Sequence, residues 1–346
     1  MGDFSICFSE HLTGHTRILV SLLAPFEDHI ANGGEKLLGN ASSIKRRPDG
    51  RVYISGQMQR HVLFSAIDRL NNADDAKGDT FVSNGDGITY EVDRDLRADM
   101  GGFMHAEKDV ATRRRTAPLS VTPAVAMKES EIGRDLLMRL RVNTEGENAN
   151  EQAIATREFS QGDIMRMNFF LDITSLSISK AYSYEKSFNV GTVYYKHATE
   201  AERKRRALLY LNATRLMNDY ANQARNAVCG EPQQVIIVFD NILSRKASRY
   251  FEAEDPERAN ILNELDERGA KYFIGDDHTE NSVLKAYNEA LEFLKSNELY
   301  TCDSDDSKVR SFEDVYVNTN ETKTTKTKKQ EKKIEKKIDD TPSLFE

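Results

Sequence analysis

The sequence predicts an α+β fold in which an antiparallel sheet is backed by helices. Three observations lead there. Apolar residues cluster in the strand-like stretches "HTRILVSLL" (15–23), "RMNFFLDITSLSIS" (166–179) and "QVIIVFD" (234–240). Helical spacing fills 56–70 and about 201–227. Charged residues make up 30% of the chain and hydrophobic ones 39%, the mixture of an ordinary soluble protein.

The elements come in this order. "FSICFS" (4–9) alternates apolar and small residues, a strand pattern, and 15–23 reads as a second strand. "DHIANGGEKLLGN" (28–40) reads as a glycine-rich loop. "SSIKRRPDGRVYISG" reads as a hairpin with arms Ile44 to Arg47 and Arg51 to Ile54, turning at Pro48-Asp49-Gly50. Ser55 can cap the next helix, whose apolar stripe is Val62, Leu63, Ala66, Ile67 and Leu70. Residues 71–163 read as a long insertion, with "SNGDG", an arginine triplet and the polar run "RVNTEGENANEQ". Residues 180–200 are tyrosine-rich and read as a projecting hairpin. The helix at about 201–227 places Leu209, Leu216, Met217, Tyr220 and Ala224 on one face. Residues 255–298 read as mainly helical. Residues 318–346, rich in Thr, Lys and Glu, read as a disordered tail. Without the insertion the order is strand, hairpin, helix, strand, helix, strand. That is the order of a ferredoxin-like or RNA-recognition-type core, here a single domain over 1–317.

No window approaches the roughly 20 apolar residues of a membrane span, so no membrane partner is expected. The start "MGDFSICFSE" lacks a basic region followed by an apolar run, so no secretion signal is read. Ile6 stands where a myristoylation motif needs Ser or Thr. Cys7, Cys229 and Cys302 are far apart, which excludes a cysteine zinc site and points to a reducing cytoplasm. Net charge is −8. Residues 321–346 carry +2, with eight lysines among them, so residues 1–320 carry −10. An acidic body still binds a polyanion where its cations converge, because salt screens the remaining charge over about 10 Å.

Four clusters are candidates for such convergence. Lys45, Arg46, Arg47 and Arg51 crowd the hairpin that feeds a helix start at Ser55–Gln57, with Arg60 one turn on. A helix start beside cations is an anion site. The plain alternative is a solvated basic hairpin. Arg113, Arg114 and Arg115 with Thr116 offer charged forks and a hydroxyl suited to phosphate oxygens. The alternative there is pairing with Asp93, Asp95 or Asp99. Arg203–Arg206 begin a helix, where cations oppose its dipole; the alternative is pairing with Glu200 and Glu202. The tyrosine-rich segment offers Phe188 and Val190, beside Gly191, as residues that wedge between bases, against a default of strand packing.

Signs of catalysis are few. Asp172 and Asp240 each end a strand-like run and are the right type to share a metal. "GDDH" (275–278) has ligand-type residues that a surface turn explains equally well. There is no Walker loop, GxSxG or HExxH. The expectation is no enzyme activity, no metal and no cofactor.

Two segments carry a resemblance. "VYISGQMQRHVLFSAI" (52–67) resembles the strand-and-helix signature of the RNA-binding backbone subunit of CRISPR type I effector (Cascade) complexes. "DMGGFMHAEKDVATRRRTAPLSVTPAVAM" (99–127) resembles that family's downstream block, a Gly-aromatic element followed by an Arg-Thr-x-Pro-Leu run and a second proline. The branch it resembles is the autoregulator-like, DevR-type one of subtype I-B. The resemblance implies an RNA-recognition-type palm, an inserted finger region at about 71–163 and a thumb-like hairpin at about 180–200. It implies a non-catalytic subunit whose copies assemble head to tail along the spacer of a guide RNA. The assembled copies present its bases to complementary target DNA alongside other subunits of the complex. Lys45, Arg46 and Arg47 would then contact phosphates, Ser55, Gln57 and Arg60 phosphate and ribose, and Arg113–Thr116 the guide or the complementary strand. No aromatic platform on the palm is evident, so base stacking there is not expected. The alternative is a type III-like subunit that cuts target RNA with a loop carboxylate, for which Asp28 is the residue to test.

Overall fold

A computed structural model of the chain describes residues 15–38, 41–84, 89–105, 113–142, 150–185, 188–301 and 308–316. The expected strand at 4–9 and the tail from 318 lie outside the described residues.

The fold mixes α and β elements. In chain order they are β1 (Arg17–His29), β2 (Glu35–Lys36), β3 (Ala41–Ser43), β4 (Tyr53–Ile54), α1 (Gly56–Asn72), α2 (Leu96–Gly101), β5 (Phe103–His105) and β6 (Arg113–Arg115). Next are β7 (Leu119–Val121), β8 (Ala124–Ala126), β9 (Ile132–Val142), β10 (Asn150–Asp172), β11 (Ile178–Glu185), β12 (Phe188–Lys196) and α3 (Glu200–Ala213). Last come β13 (Gln234–Asp240), α4 (Asp255–Glu267), β14 (Lys271–Asp276), α5 (Val283–Ser296) and α6 (Phe312–Tyr316). They divide between two compact units. The first comprises Met1–Val82, Pro118–Leu176 and Glu200–Thr301; the second comprises Ser83–Ala117, Ser177–Thr199 and Cys302–Glu346.

The first unit is built on one sheet in the order β14-β13-β1-β10-β3-β2, with β7, β8 and β9 also paired to β10, and β4 to β8. The central pairs are antiparallel: Val20 lies opposite Phe169 on one side and Ile237 on the other. Because side chains alternate across a strand, this register sorts the sheet into two faces. Ile18, Val20 and Leu22 share a buried face with Met167, Phe169, Ile237 and Phe239. Phe239 packs on Phe293 of α5 with ring centroids 5.0 Å apart, and the Tyr220 hydroxyl reaches Gln59 of α1 at 3.2 Å. Helix α1 packs against α3, and α3 against α5. On the opposite face, Leu19, Phe170, Ile236 and Val238 pack beneath Ala247, Ala253 and the Ile261 and Leu265 side chains of α4. Each large side chain removed from water this way contributes about 1.5–3 kcal/mol.

Several boundaries differ from the sequence expectation, each for a local reason. The helix expected to about 227 ends at Ala213. Thr214 is buried, and its hydroxyl bonds the Leu211 carbonyl at 2.7 Å and meets Tyr287 Oη at 2.9 Å, drawing the backbone into turns. Leu209, Met217 and Tyr220 are buried regardless. The strand expected over 166–179 stops at Asp172, whose carboxylate accepts from the Thr174 N–H at 2.9 Å. The same strand begins far earlier, at Asn150. Of the inserted region, 83–117 falls in the second unit, while 118–163 supplies β7, β8, β9 and much of β10 to the main sheet. β14 interrupts the region read as helical.

The arginines of α3 are structural. Arg203 is fully buried and donates to the carbonyls of Ile173, Leu176 and Tyr300 at 2.9, 3.0 and 3.1 Å, and to Glu200 at 2.7 Å. Glu202 takes Arg205 and Arg206 at 2.6 and 2.8 Å. Lys204 Nζ caps the Lys295 carbonyl at 2.9 Å. Acidic partners one turn or less away thus answer the three arginines of this cluster.

The second unit holds two hairpins, β5–β6 and β11–β12, with α2 and α6. A polar chain ties them together. Asp99, after α2 begins, accepts from the Ser177 N–H and hydroxyl at 2.8 and 2.6 Å and from Arg115 Nη2 at 2.7 Å. Arg115 Nη1 donates to the Ile178 carbonyl at 2.8 Å and to Ser179 Oγ at 3.2 Å. Ser179 Oγ lies 2.6 Å from His197 Nε2, and His197 Nδ1 lies 2.7 Å from the Arg310 carbonyl. The carbonyl needs a donor, so Nδ1 carries the proton and Nε2 accepts. Burial, helped by the nearby Arg115 charge, pushes the His197 pKa down to about 4, so the ring is neutral at physiological pH. The unfolded imidazole binds a proton below about 6.5. This histidine's contribution to stability is therefore lost as pH falls from there toward 4.

Candidate nucleic-acid interface

The first unit's site begins at the 44–54 hairpin. Gly50 has φ +77°, and the Arg47 N–H donates to the Arg51 carbonyl at 2.9 Å while the Gly50 N–H donates to the Arg47 carbonyl at 3.0 Å. Asp49 takes Arg51 Nε at 2.8 Å. Arg46 leans toward Glu158 at 3.9 Å, beyond good hydrogen-bond geometry. Arg46 and Arg47 are exposed and Lys45 is half-buried. Among the described residues, Lys45 and Arg47 have no carboxylate within ion-pair distance.

The chain then runs through β4 into α1. Ser55 Oγ accepts from the Met58 N–H at 3.2 Å, the capping bond expected of a serine at this position. The first turn of α1 contains no acidic residue, so the positive end of its dipole is not offset locally. A Cβ on Gly56 would sit 3.1 Å from the Val121 carbonyl; the helix start rests on the β7–β8 connection and leaves little room there. Ser55 and Gln57 are exposed. Arg60 is half-buried with its guanidinium carbon 5.7 Å from the Phe64 ring centroid, and burial lowers its pKa. The Ser-Gly-Gln run thus divides into a cap, a close-packed glycine and an outward side chain.

Two further arginines of the first unit were not singled out by the sequence. Arg166 on β10 pairs with Glu252 at 2.8 Å and donates to the Ser248 carbonyl at 3.2 Å. Burial lowers its pKa, Glu252 opposes that, and the fields of Arg51 and Arg47 add to the lowering. The hairpin cations and Arg166 therefore share one electrostatic neighbourhood. Arg245 lies 4.6 Å from the Phe170 centroid and donates to Ser120 Oγ at 3.2 Å. Phe170 is buried beneath it. The only sequence signal for Arg166 was its alternation with buried Met165 and Met167.

The second unit treats its arginine triplet unevenly. Arg115 is turned inward: its side chain is 5% exposed and it pairs with the fully buried Asp99. Its fork is occupied by Asp99, Ile178 and Ser179, so it braces the protein and has no free donor face for phosphate. Strand alternation turns Arg114 the other way; Arg114, Thr116 and neighbouring Met104 are exposed. The Arg113 side chain lies outside what is described. A Cβ on Gly102, at φ +62°, would strike the Arg115 carbonyl and sit 2.7 Å from the Ala117 nitrogen, which accounts for glycine before Phe103. On the β11–β12 hairpin, Phe188 is 75% and Val190 54% exposed, with Tyr182 also exposed.

Three of the candidate carboxylates, Asp172, Asp240 and Asp276, are engaged within the protein. Asp172 and Asp240 flank Arg17 in register, but Asp172 pairs with Arg17 at 2.6 Å and Asp240 with Arg268 at 2.8 Å. In the "GDDH" turn, Asp276 accepts from the His278 N–H at 2.9 Å and from Gln234 Nε2 at 2.8 Å. Asp28 is exposed at φ +43°, with its carbonyl held by Asn226 at 2.6 Å. Among the described residues, no group of three or more His, Cys, Asp or Glu side chains is placed to hold a metal. No helix there is long and apolar enough to cross a membrane.

Two solved structures match the chain. A chain of a CRISPR RNA-guided surveillance complex matches at 14% identity and TM-score 0.45, covering 80% of this chain and 99% of its own. A chain of a pre-nicking CRISPR RNA-guided surveillance complex matches at 13% identity and TM-score 0.49, covering 81% and 100%. No curated protein matches the sequence. A family model, the CRISPR-associated negative auto-regulator DevR/Csa2, matches residues 38–228, which is more than half of the chain and includes both segments that carried the resemblance. The chain belongs to the CRISPR-associated DevR/Csa2 family.

Proposed function

We propose that this chain is a non-catalytic, guide-RNA-binding backbone subunit of a CRISPR type I surveillance complex, of subtype I-B. Copies line up head to tail on the guide, working in the cytoplasm with other subunits, and hold its bases out to complementary target DNA. The observation that carries this reading is the α1 start. There an uncompensated helix dipole, the exposed Gln57 and the half-buried Arg60 adjoin a hairpin whose Lys45 and Arg47 lack acidic partners among the described residues. Those groups suit a phosphate–ribose backbone, which is what a subunit that leaves sequence to base pairing requires.

The order of elements supports a ferredoxin-like, RNA-recognition-type palm. β1, α1, β8, β10, α3 and β13 run β-α-β-β-α-β, and their strands lie in the order β13-β1-β10-β8. In this reading the β5–β6 hairpin belongs to the finger region, with Arg114 and Thr116 meeting nucleic acid. The β11–β12 hairpin is the thumb, and exposed Phe188 and Val190 wedge between guide segments. Heterologous contacts that do not close on themselves give an open filament. Mass photometry on the chain mixed with unrelated RNAs of stepped length tests this. The copy number bound is expected to rise in proportion to RNA length, whatever the sequence. One copy per RNA at every length, or binding confined to one sequence, would refute it.

A further inference from the structure

The 44–54 hairpin is thinly paired with itself. Its first arm continues from β3, which pairs with β10, and its second runs into β4, which pairs with β8. The arms share one isolated bridge, Arg46 opposite Val52, rather than a ladder. A two-stranded hairpin of this kind is marginally stable on its own. Lys45, Arg46, Arg47 and Arg51 also repel one another, which favours opening it.

Two buried polar side chains from elsewhere in the first unit supply what the ladder lacks. Asn32, in the loop after β1, is 7% exposed. Its Nδ2 donates to the Lys45 carbonyl at 2.9 Å and to the Tyr53 carbonyl at 3.1 Å, one on each arm. An amide has two N–H groups, and both are used here. Its Oδ1 accepts from the Gly34 N–H at 3.0 Å, which fixes the orientation of the amide. The loop returns through Gly33 and Gly34 at φ +77° and +70°, and a Cβ on Gly34 would lie 3.2 Å from the Ser43 carbonyl. The second arm has its own pin. Ser130 Oγ accepts from the Val52 N–H at 3.0 Å and donates to Asp163 Oδ1 at 2.6 Å. The other Asp163 oxygen lies 2.8 Å from Nε2 of the fully buried His29.

We propose, on the guide-RNA reading of this hairpin, that Asn32 and Ser130 are positioning residues of the nucleic-acid surface. They hold the two arms at a fixed separation, so that Lys45 and Arg47 meet phosphates without first being ordered. Neither side chain touches the RNA. Immobilising a side chain on binding lowers affinity, and a backbone held beforehand reduces that cost. The chemistry of the clamp fits this task. An apolar side chain in place of Asn32 would leave the Lys45 and Tyr53 carbonyls without its donors. An acidic one would offset the cations. A neutral amide fixes the backbone and leaves the positive charge intact.

The test is a double-mutant cycle on the full chain, with labelled single-stranded RNA read by fluorescence anisotropy over a range of salt concentration. The variants are Asn32→Ala, Ser130→Ala, the Lys45→Gln and Arg47→Gln pair, and each alanine variant combined with that pair. Asn32→Ala and Ser130→Ala are each expected to weaken RNA binding at least about tenfold. Their log–log salt slopes should become shallower by up to about 1.4, about 0.7 for each of two phosphates, although neither residue is charged. In the glutamine background the same changes should cost less than about twofold further, because the cations they position are gone. Hydrogen exchange at the Arg47 and Gly50 amides of the free chain should be faster in both alanine variants. Ser130→Ala, which breaks one bond to the hairpin instead of two, carries the cycle where Asn32→Ala does not fold. Fully additive losses, or weaker binding with an unchanged slope, would make these residues direct contacts or general supports of the fold and overturn the proposal. Wild-type affinity in both alanine variants, beside a weakened glutamine pair, would overturn it alone. Wild-type affinity in the glutamine pair would instead overturn the guide-RNA reading of the hairpin, and the positioning role with it.

Discussion

Arg115→Ala is expected to destabilise the second unit by about 3–5 kcal/mol, because it strands a buried carboxylate. Asp99 is fully buried and is held by Arg115, by the Ser177 backbone and by the Ser177 hydroxyl. Removing Arg115 also strips the Ile178 carbonyl and Ser179 of a donor, and each unsatisfied buried group costs about 1–3 kcal/mol more. The damage should extend along the Ser179–His197–Arg310 chain to α6. Arg115→Ala combined with Asp99→Leu removes the orphaned charge and should recover much of the loss. Denaturant unfolding followed by circular dichroism reads both variants. A loss under about 1 kcal/mol in Arg115→Ala, accompanied by lost RNA binding, would make Arg115 a ligand contact and contradict the bracing role.

Arg47→Gln together with Arg60→Gln is expected to cut RNA affinity by at least about tenfold, because each charge-assisted contact is worth about 1.5–3 kcal/mol. The slope of log affinity against log salt should become shallower by about 1.4, which is about 0.7 for each of two single-strand phosphates. Arg47 has no acidic partner among the described residues, so its removal leaves no carboxylate stranded. Arg60→Gln keeps part of the aliphatic stem against Phe64. The effect should therefore appear in binding with little change in stability. Fluorescence anisotropy with labelled RNA at several salt concentrations measures both quantities. An unchanged slope would remove the hairpin and α1 start from the binding surface.

The parts of this molecule that were legible in the sequence are those whose causes are local. β13 announces itself by a continuous apolar run bounded by polar residues. The Pro48-Asp49-Gly50 turn and the Ser55 cap each depend on residues within a few positions of one another, and both form as expected. The end of α3 was not legible, because Thr214 stops the helix through a bond to Tyr287, seventy-three residues away. β7 and β8 escaped notice because three residues on either side of Thr122-Pro123 are too few to show a period. The arginine triplet shows the same limit at the site. Its spacing says that forks are available, but strand alternation and the burial of Asp99 decide that Arg115 faces inward while Arg114 faces out. Arg166 and Arg245 were hidden for the converse reason. Each is a single cation in an ordinary stretch; only sheet register brings Arg166 toward the hairpin, and only the loop after β13 brings Arg245 over Phe170.

The central claim is that this acidic chain holds guide RNA through a short cationic surface and a helix start. Its most direct test is the size of the RNA that copurifies when the chain is expressed with a CRISPR array and its partner subunits. The account predicts RNA of one discrete length, released by high salt and depleted by the Arg47→Gln and Arg60→Gln pair. A preparation free of RNA, or one carrying a continuous smear of cellular RNA under the same conditions, would contradict it.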